Sequence, residues 1–318
     1  MAPLIVAHQF APQEARRVAA SLGDEVHLQA LEGERAWMAP AGARVLLTDQ
    51  GVAGRLLPTT PRPAGWPGDL AWVHLRSTGI DRMPPWLFEV PYVTTSRGAQ
   101  SQAIAEYVLA AMLAFEKQIP EIWVRQRADW RGRDLGGLTG KTLGIVGFGH
   151  IGQAVAKLAT AFGMQVVAAR RDDRPLHGEG VTGHSLQAVL AMADHLLLAT
   201  PLTEQTRNLV DADALAQVRP GLHLINVGRG AVLDTEALRM ALDSGQVARA
   251  SLDVVHPEPP PEGHWLYSHP RVVMSAHVSS RAPQTAARLD AILSENLAAF
   301  RAGKPEHMHG LVSRQNGY

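Results

Sequence analysis

The chain has no cysteine, and this absence excludes several kinds of chemistry. Without thiols it has no disulfide bond, no thiolate nucleophile and no cysteine-ligated zinc centre. It also has no net charge, because its 30 lysines and arginines are matched by 30 aspartates and glutamates. No global electric field therefore favours nucleic acid or an anionic membrane, and any anion has to be recognised locally.

Long apolar runs are missing as well. No stretch reaches the ~18 consecutive apolar residues that a membrane span needs, and the first residues lack the pattern of a signal peptide. We therefore expect a cytoplasmic protein that binds neither membranes nor nucleic acid. Its 318 residues, of which 46% are apolar, are enough for two domains that each have a core of their own.

Standard metal-binding patterns are also absent. Three histidines, His256, His264 and His269, lie around a proline-rich segment, but their spacing matches no usual set of metal ligands. A solvated loop explains them better. The sequence therefore predicts no metal site.

Short apolar runs alternate with segments of helical spacing along the chain, which is typical of parallel sheets with helices on both faces. One series of predicted strands lies within residues 4–95, and a second series begins at Lys141. The last helical segment follows the second series, and we expect it to return to the first domain. The sequence thus predicts a doubly wound α/β fold with residues 99–282 in one domain and residues 1–98 and 283–318 in the other.

Residues 100–119 form a predicted helix that is apolar on nearly all sides. A helix without a polar face has to be buried, either in a large core or against another subunit. The residues alone leave both possibilities open.

A glycine-rich segment follows a predicted strand and opens a predicted helix. Its first glycine would permit a tight turn, its second would let the backbone approach a pyrophosphate, and its third would allow the helix to pack on the strand. The free amides and the dipole of the helix start would face the phosphates. The sequence predicts a dinucleotide site that includes Gly147, Gly149, His150, Ile151 and Gly152.

The end of the next strand indicates which dinucleotide binds. An acidic residue there would bind the ribose 2′-hydroxyl of NAD(H), but the chain has Arg170 and Arg171 instead. Two guanidinium groups are suited to a 2′-phosphate, which favours NADP(H) over NAD(H). Two alternatives remain: both arginines are solvated surface charges, or Asp172 and Asp173 bind a ribose.

Three polar residues follow three predicted strands of the second series. Arg229 stands between two glycines and is suited to a carboxylate and the carbonyl oxygen beside it. Carbonyl reduction also needs a proton donor, and the imidazole of His277 is the natural one near neutral pH. Glu258 would orient that imidazole if the two strand ends are neighbours. Together with the glycine segment, these residues predict hydride transfer to or from a small oxo or hydroxy acid.

The chain resembles the D-isomer-specific 2-hydroxyacid dehydrogenases, the formate/glycerate dehydrogenase group that includes glyoxylate and hydroxypyruvate reductases. The resemblance covers nearly the whole chain. It rests on an ordered set of short motifs: Ser77-Thr78-Gly79-Ile80-Asp81, Ala105-Glu106-Tyr107, the glycine segment with the strand before it, Pro201-Leu202-Thr203-Glu204-Gln205-Thr206-Arg207, Asn226-Val227-Gly228-Arg229-Gly230, Glu258-Pro259 and Ala276-His277. The chain departs from the family at Ala276, where most members have proline.

The resemblance implies two Rossmann-like domains and a 2-oxo acid reductase in which Arg229, Glu258 and His277 are catalytic. It implies that the region of Arg76, Ser77 and Thr78 binds the substrate, together with Arg229 and His277. It also implies a homodimer built through the dinucleotide-binding domain. Further residues expected at the cofactor are Thr200, Pro201, Thr206, Val227, Gly228, Asp253 and Ser279.

Two other functions are compatible with the same resemblance. One is an NAD-linked dehydrogenase that oxidises a substrate such as phosphoglycerate, although the first domain shows no extra basic cluster for a substrate phosphate. The other is a dinucleotide-sensing protein that acts as a corepressor, which some relatives are. The chain lacks long disordered extensions and keeps all three catalytic residues, so the reductase is the preferred interpretation.

Overall fold

The computed structural model describes residues 3–22, 26–31, 37–49, 58–171, 176 and 178–313. The chain divides into two compact units, Met1–Ala99 with Ala282–Tyr318, and Gln100–Arg281. Each unit contains a parallel sheet with helices, which confirms the predicted fold class of two Rossmann-like domains. The assignment of substrate binding to the first unit and of dinucleotide binding to the second stays a prediction.

The first unit is built on a five-stranded sheet in the order β2-β1-β3-β4-β5, in which all neighbouring strands are parallel. Strands β3 and β4 are buried along their whole length, and their residues are apolar except for Thr48 and His74. The elements are β1 (Leu4–His8), α1 (Pro12–Leu22), β2 (Val26–Ala30), β3 (Val45–Thr48), β4 (Trp72–Leu75), β5 (Tyr92–Thr95) and α7 (Pro283–Arg301).

The second unit is built on a seven-stranded parallel sheet in the order β12-β11-β10-β9-β6-β7-β8. The order reverses at β6, so the carboxyl ends of β6 and β9 flank a crevice of the kind in which ligands bind in such folds. The elements are α2 (Ser101–Glu116), β6 (Thr142–Val146), α3 (His150–Ala161), β7 (Gln165–Ala169), β8 (Val181–Gly183), α4 (Leu186–Met192), β9 (His195–Leu198), α5 (Ala212–Ala216), β10 (Leu222–Asn226), α6 (Thr235–Ser244), β11 (Val247–Leu252) and β12 (Val272–Met274).

The apolar helix predicted at residues 100–119 is α2. One side of it is buried and packs on α3 and on the core of the second unit. Three further apolar residues, Tyr107, Leu109 and Leu113, are only partly buried. The core therefore covers part of the apolar surface of this helix. A second subunit that covers the rest stays a prediction.

Helix α6 shows how local sequence fixes an element. The side chain of Asp234 accepts hydrogen bonds from the amides of Glu236 and Ala237, both at 3.0 Å, which satisfies two of the free donors at the helix start. Gly245 ends the helix in the left-handed conformation, with φ of 82°. Side chain and glycine thus fix the two ends of this helix locally.

A buried pair of histidines lies near the amino ends of β9 and β10. Nδ1 of His195 is 3.0 Å from Nδ1 of His223, whose Nε2 is 2.9 Å from the hydroxyl of Ser251. Nε2 of His195 is 3.1 Å from a carboxylate oxygen of Glu116, which also contacts Lys141. One neutral tautomer of each ring fits the contacts between the rings: Ser251 donates to His223, and His223 donates to His195. Nε2 of His195 lies close to the carboxylate but makes no hydrogen bond among the described residues.

No helix among the described residues is both long enough and apolar enough to cross a lipid bilayer.

Candidate active site

The glycine segment after β6 has the shape that a dinucleotide needs. Gly147 has φ of 99°, and a Cβ atom there would lie 2.8 Å from the backbone of Ala199. A Cβ at Gly152 would lie 2.8 Å from the carbonyl oxygen of Gly147, so this glycine lets α3 start close to the strand. Gly149, at the start of the helix, faces open space with no atom within 4 Å of such a Cβ. The backbone is therefore accessible at the position where a pyrophosphate would approach it.

A second feature that fits a ligand lies beside this segment, after β9. The hydroxyl of Thr200 is buried and has no hydrogen-bond partner among the described residues, and such a group normally has one. Gly228 packs directly on the backbone of Thr200, because a Cβ at this glycine would lie 2.7 Å from the carbonyl oxygen of Thr200. The neighbouring turn is closed by Thr206, whose hydroxyl donates to the carbonyl of Pro201 at 2.7 Å. These observations fit a dinucleotide that lies along the carboxyl edge of the sheet.

Arg170 and Arg171 follow β7, the strand next to the glycine segment. Arg170 is half-buried and Arg171 is exposed. The other residues considered for the ribose, Asp172 and Asp173, lie outside the described residues. The arrangement places two guanidinium groups after the strand that usually carries the acidic residue of NAD-binding folds.

Arg229 lies in a tightly packed loop after β10. The side chain of Asn226 holds this loop, because it accepts from the amide of Gly228 and donates to the carbonyl of Arg229, both at 3.1 Å. A Cβ at Gly230 would collide with the backbone of Val255. Gly230 therefore allows the arginine loop to pack against the loop that follows β11.

Glu258 and His277 meet at the ends of two neighbouring strands. Strands β11 and β12 are paired in parallel, and the loops after them bring Nδ1 of His277 to 2.9 Å from Oε1 of Glu258. The side chain of His277 is 42% exposed and that of Glu258 23%. Because Nδ1 faces the carboxylate, Nε2 is the ring nitrogen left to meet a substrate.

The backbone of the His277 loop is anchored on Asp253, which is 1% exposed. The amide of His277 donates to the carbonyl of Asp253 at 2.9 Å. The next two amides donate to its carboxylate, Val278 at 2.8 Å and Ser279 at 3.1 Å. Asp253 was predicted as a cofactor contact, which stays a prediction; the structure shows that it fixes the loop of the histidine.

The predicted substrate residues Arg76, Ser77 and Thr78 follow β4 in the first unit. The guanidinium of Arg76 is buried and paired with Glu14 at 2.9 Å and with Asp290 at 2.8 Å. The amide of Arg76 donates to Thr48 within the sheet. The hydroxyl of Ser77 is buried without a hydrogen-bond partner among the described residues, whereas Thr78 is exposed. Substrate binding by this segment stays a prediction.

Other predicted cofactor residues lie along the same strand ends of the second unit. Val227 and Gly228 are buried directly after β10, Ser279 is buried in the His277 loop, and Ile151 and His150 form the first turn of α3. No group of three or more histidine, aspartate or glutamate side chains among the described residues is placed to hold a metal ion.

Several residues of this region were not found from the sequence. Asn226 holds the arginine loop, and Ser275 bonds to Asp253 beneath the histidine loop. One signal was available: both are polar residues at or directly after the end of a strand, close to a predicted catalytic residue. Their partners depend on strand order, which the local sequence does not contain.

Comparison with known proteins identifies the family. Residues 109–279 match the family model described as D-isomer specific 2-hydroxyacid dehydrogenase, NAD binding domain. The chain is 37% identical to a glyoxylate reductase of Aeropyrum pernix over 225 residues, which are 67% of this chain and 67% of that protein. The chain belongs to this family. It is therefore a D-2-hydroxyacid dehydrogenase with a nicotinamide dinucleotide cofactor.

Two further relatives extend this comparison. The chain is 34% identical over 212 residues to a hydroxypyruvate reductase of Thermotoga maritima, covering 64% of this chain and 68% of that protein. It is also similar to the crystal structure of a D-isomer specific 2-hydroxyacid dehydrogenase from Xanthobacter autotrophicus Py2 in complex with NADPH and MES. That likeness has a TM-score of 0.82 at 27% identity and covers 100% of both chains.

Proposed function

We propose that this dehydrogenase reduces a small 2-oxo acid, of the glyoxylate or hydroxypyruvate type, to the D-2-hydroxy acid and uses NADPH in preference to NADH. The observation that carries the proposal is the contact of 2.9 Å between His277 and Glu258, at the strand end next to the loop of Arg229. The names of the glyoxylate and hydroxypyruvate reductases to which the chain is similar support the class of substrate.

Each of the three residues has a separate role in this proposal. Arg229 binds the substrate carboxylate and polarises the adjacent carbonyl, for which a guanidinium has the right geometry and charge. Glu258 holds His277 in one orientation through its contact with Nδ1. His277 then gives the proton on Nε2 to the carbonyl oxygen as that oxygen becomes a hydroxyl.

The nicotinamide dinucleotide, when bound, supplies the hydride that reaches the carbonyl carbon. The protein residues that would hold it are the backbone of the glycine segment, Thr200, Gly228 and Asp253. Arg170 and Arg171 would bind the 2′-phosphate, and their place after β7 supports the preference for NADPH. In the reverse direction His277 would accept the proton from the hydroxyl group, so one residue serves as acid and as base.

The preference for NADPH has a direct test. Replacing Arg170 and Arg171 together by alanine should raise the KM for NADPH at least about tenfold, because charge-assisted hydrogen bonds to a phosphate are lost. The KM for NADH should change little. Lys157→Ala removes one exposed positive charge from α3 and is the matched control. Equal effects of the arginine variant on both cofactors would contradict the preference, and no turnover of glyoxylate or hydroxypyruvate with either cofactor would contradict the reaction.

We also propose that the chain is a cytoplasmic homodimer built through its second unit. The partly buried residues of α2 support this, as do Trp123 and Trp130 beyond that helix, which are 59% and 81% exposed. Large apolar side chains in this number mark a surface for a partner. Sedimentation of the purified chain measures whether the mass is twice the 34.3 kDa of one copy.

A further inference from the structure

A chain of two hydroxyl groups connects α2 to the loop of His277. The hydroxyl of Tyr107 is 2.8 Å from that of Ser275, which donates to Oδ1 of Asp253 at 2.6 Å. An ionised carboxylate only accepts hydrogen bonds, so the proton of Ser275 is committed to Asp253. The oxygen of Ser275 is then free to accept, and Tyr107 is the donor.

The carboxylate at the end of this chain is the part that holds the histidine loop. Oδ1 of Asp253 accepts from Ser275 and from the amides of Val278 and Ser279. His277 itself has φ of 54°, in the left-handed region that residues other than glycine seldom occupy. Such a backbone persists only where its surroundings fix it. The position of the imidazole therefore depends on the position of the Asp253 carboxylate.

We propose that Tyr107 and Ser275 are positioning residues for His277, which they hold in place through Asp253 without contact to the substrate. The inference rests on the proposed role of His277 as proton donor. Each hydroxyl in the chain restricts the next, so that the carboxylate keeps one rotamer and the three amides after Ala276 keep their acceptors.

The burial of Tyr107 supports its role as the donor to Ser275. Burial is the largest cause of the raised pKa of Tyr107; the hydrogen bond with Ser275 acts against it, and the charge of Asp253 raises the pKa further. The phenol therefore keeps its proton and remains a donor throughout the neutral range. Tyr107 lies on α2, so the helix that packs on the core also contributes to the catalytic edge of the sheet.

The test compares Tyr107→Phe and Ser275→Ala with Tyr92→Phe, which removes a hydroxyl from β5 in the first unit. We expect Tyr107→Phe and Ser275→Ala to lower kcat for glyoxylate about three- to tenfold, the range that one hydrogen bond accounts for. The KM for glyoxylate and the Kd for NADPH, measured by fluorescence, should stay close to the wild-type values. The double variant should lose no more than Ser275→Ala alone, because the two hydroxyls act in series. Ser275→Thr keeps the hydroxyl and should restore kcat.

A second readout does not depend on turnover. Hydrogen–deuterium exchange of the peptide covering residues 275–281 should become faster in Tyr107→Phe and Ser275→Ala, and remain unchanged in Tyr92→Phe. A kcat in Tyr107→Phe equal to that of Tyr92→Phe, or additive losses in the double variant, would overturn the proposal. His277→Ala in the same assays distinguishes a failure of this proposal from a failure of the proposed function. If that variant keeps wild-type turnover, the proposed function fails, whatever the result for Tyr107→Phe.

Discussion

The two ends of the larger sheet each place a histidine beside a glutamate, and the two pairs differ in access to water. At the carboxyl edge, His277 is 2.9 Å from Glu258 and its side chain is 42% exposed. Near the amino edge, His195 is 3.1 Å from Glu116 and is fully buried. The same two residue types therefore occur in opposite surroundings within one unit.

The buried pair shows that a nearby carboxylate alone does not keep a histidine charged. Burial lowers the pKa of His195 to about 4, although the charge of Glu116 acts in the opposite direction. Burial also lowers the pKa of His223 well below its usual value, and the neighbouring His195 adds to this. Both rings are neutral at physiological pH. Of these two pairs, the one at the carboxyl edge is exposed, so its His277 can exchange a proton with a substrate.

Helix α2 contacts both regions. Tyr107 reaches the loop of His277, and Glu116 at the other end of the helix lies against His195, while the ring of Phe115 stacks on His223 with centroids 4.6 Å apart. Helix α2 thus contacts both the loop of the exposed His277 and the buried pair of His195 and His223, whose rings are neutral. The two sites can be perturbed separately, since they involve different residues of the helix.

The largest effect is expected at the carboxyl edge, from Arg229→Ala. Loss of the guanidinium removes the group proposed to bind the substrate carboxylate and polarise its carbonyl, so kcat/KM for glyoxylate should fall about a hundred- to thousandfold. Steady-state rates with NADPH in excess measure this. The loop should keep its shape, because Asn226 holds it through the backbone of residues 228 and 229.

Arg219→Ala is a suitable control, since this residue pairs with Asp194 on the surface of the same unit at 3.1 Å. It should leave kcat/KM near the wild-type value. A loss in Arg229→Ala that is no larger than in the control would remove Arg229 from the proposed mechanism.

A smaller effect, on stability, is expected at the amino edge. His195 titrates near 6.5 when unfolded and near 4 when folded, so between these values the unfolded chain binds more protons. The contribution of His195 to the free energy of unfolding is therefore fully present above pH 6.5 and is lost as the pH falls towards 4. For this one residue, the loss between about pH 7 and about pH 5 is on the order of 2 kcal/mol.

Urea unfolding of the wild type and of His195→Asn at both pH values measures this contribution. The variant should be less stable at neutral pH, but it should lose about 2 kcal/mol less on acidification, because the amide does not titrate. His307→Asn, at a residue whose side chain is 66% exposed, is the control and should follow the wild type. Equal slopes in the wild type and in His195→Asn would contradict the neutral state of the buried ring.

Much of the fold follows from local patterns. The fully buried strands of the second unit, such as β6 and β9, consist mainly of apolar residues, and such runs predicted the second series of strands. The edge strands β2 and β8 were missed, because their residues are largely exposed and carry polar side chains. Helix α3 begins at His150, so its first turn is part of the glycine segment that the sequence predicted to open a helix.

The candidate site was predictable to a different extent. Arg229, Glu258 and His277 stand out because each follows a strand, and parallel strands place such residues at one edge. The contact between Glu258 and His277 depends on the pairing of β11 with β12, which chain order suggests. The pairing of His195 with His223, and the contact of Tyr107 with Ser275, join residues far apart in sequence. No local pattern specifies these contacts.

The central claim is that His277, and not the buried histidines, delivers the proton. The most direct measurement compares the kcat of His277→Ala with that of His195→Ala for glyoxylate reduction at neutral pH, each normalised to folded protein. We expect His277→Ala to lose about a hundredfold or more, while His195→Ala loses stability but keeps near wild-type turnover per folded molecule. Wild-type turnover in His277→Ala, or equal losses in the two variants, would contradict the account.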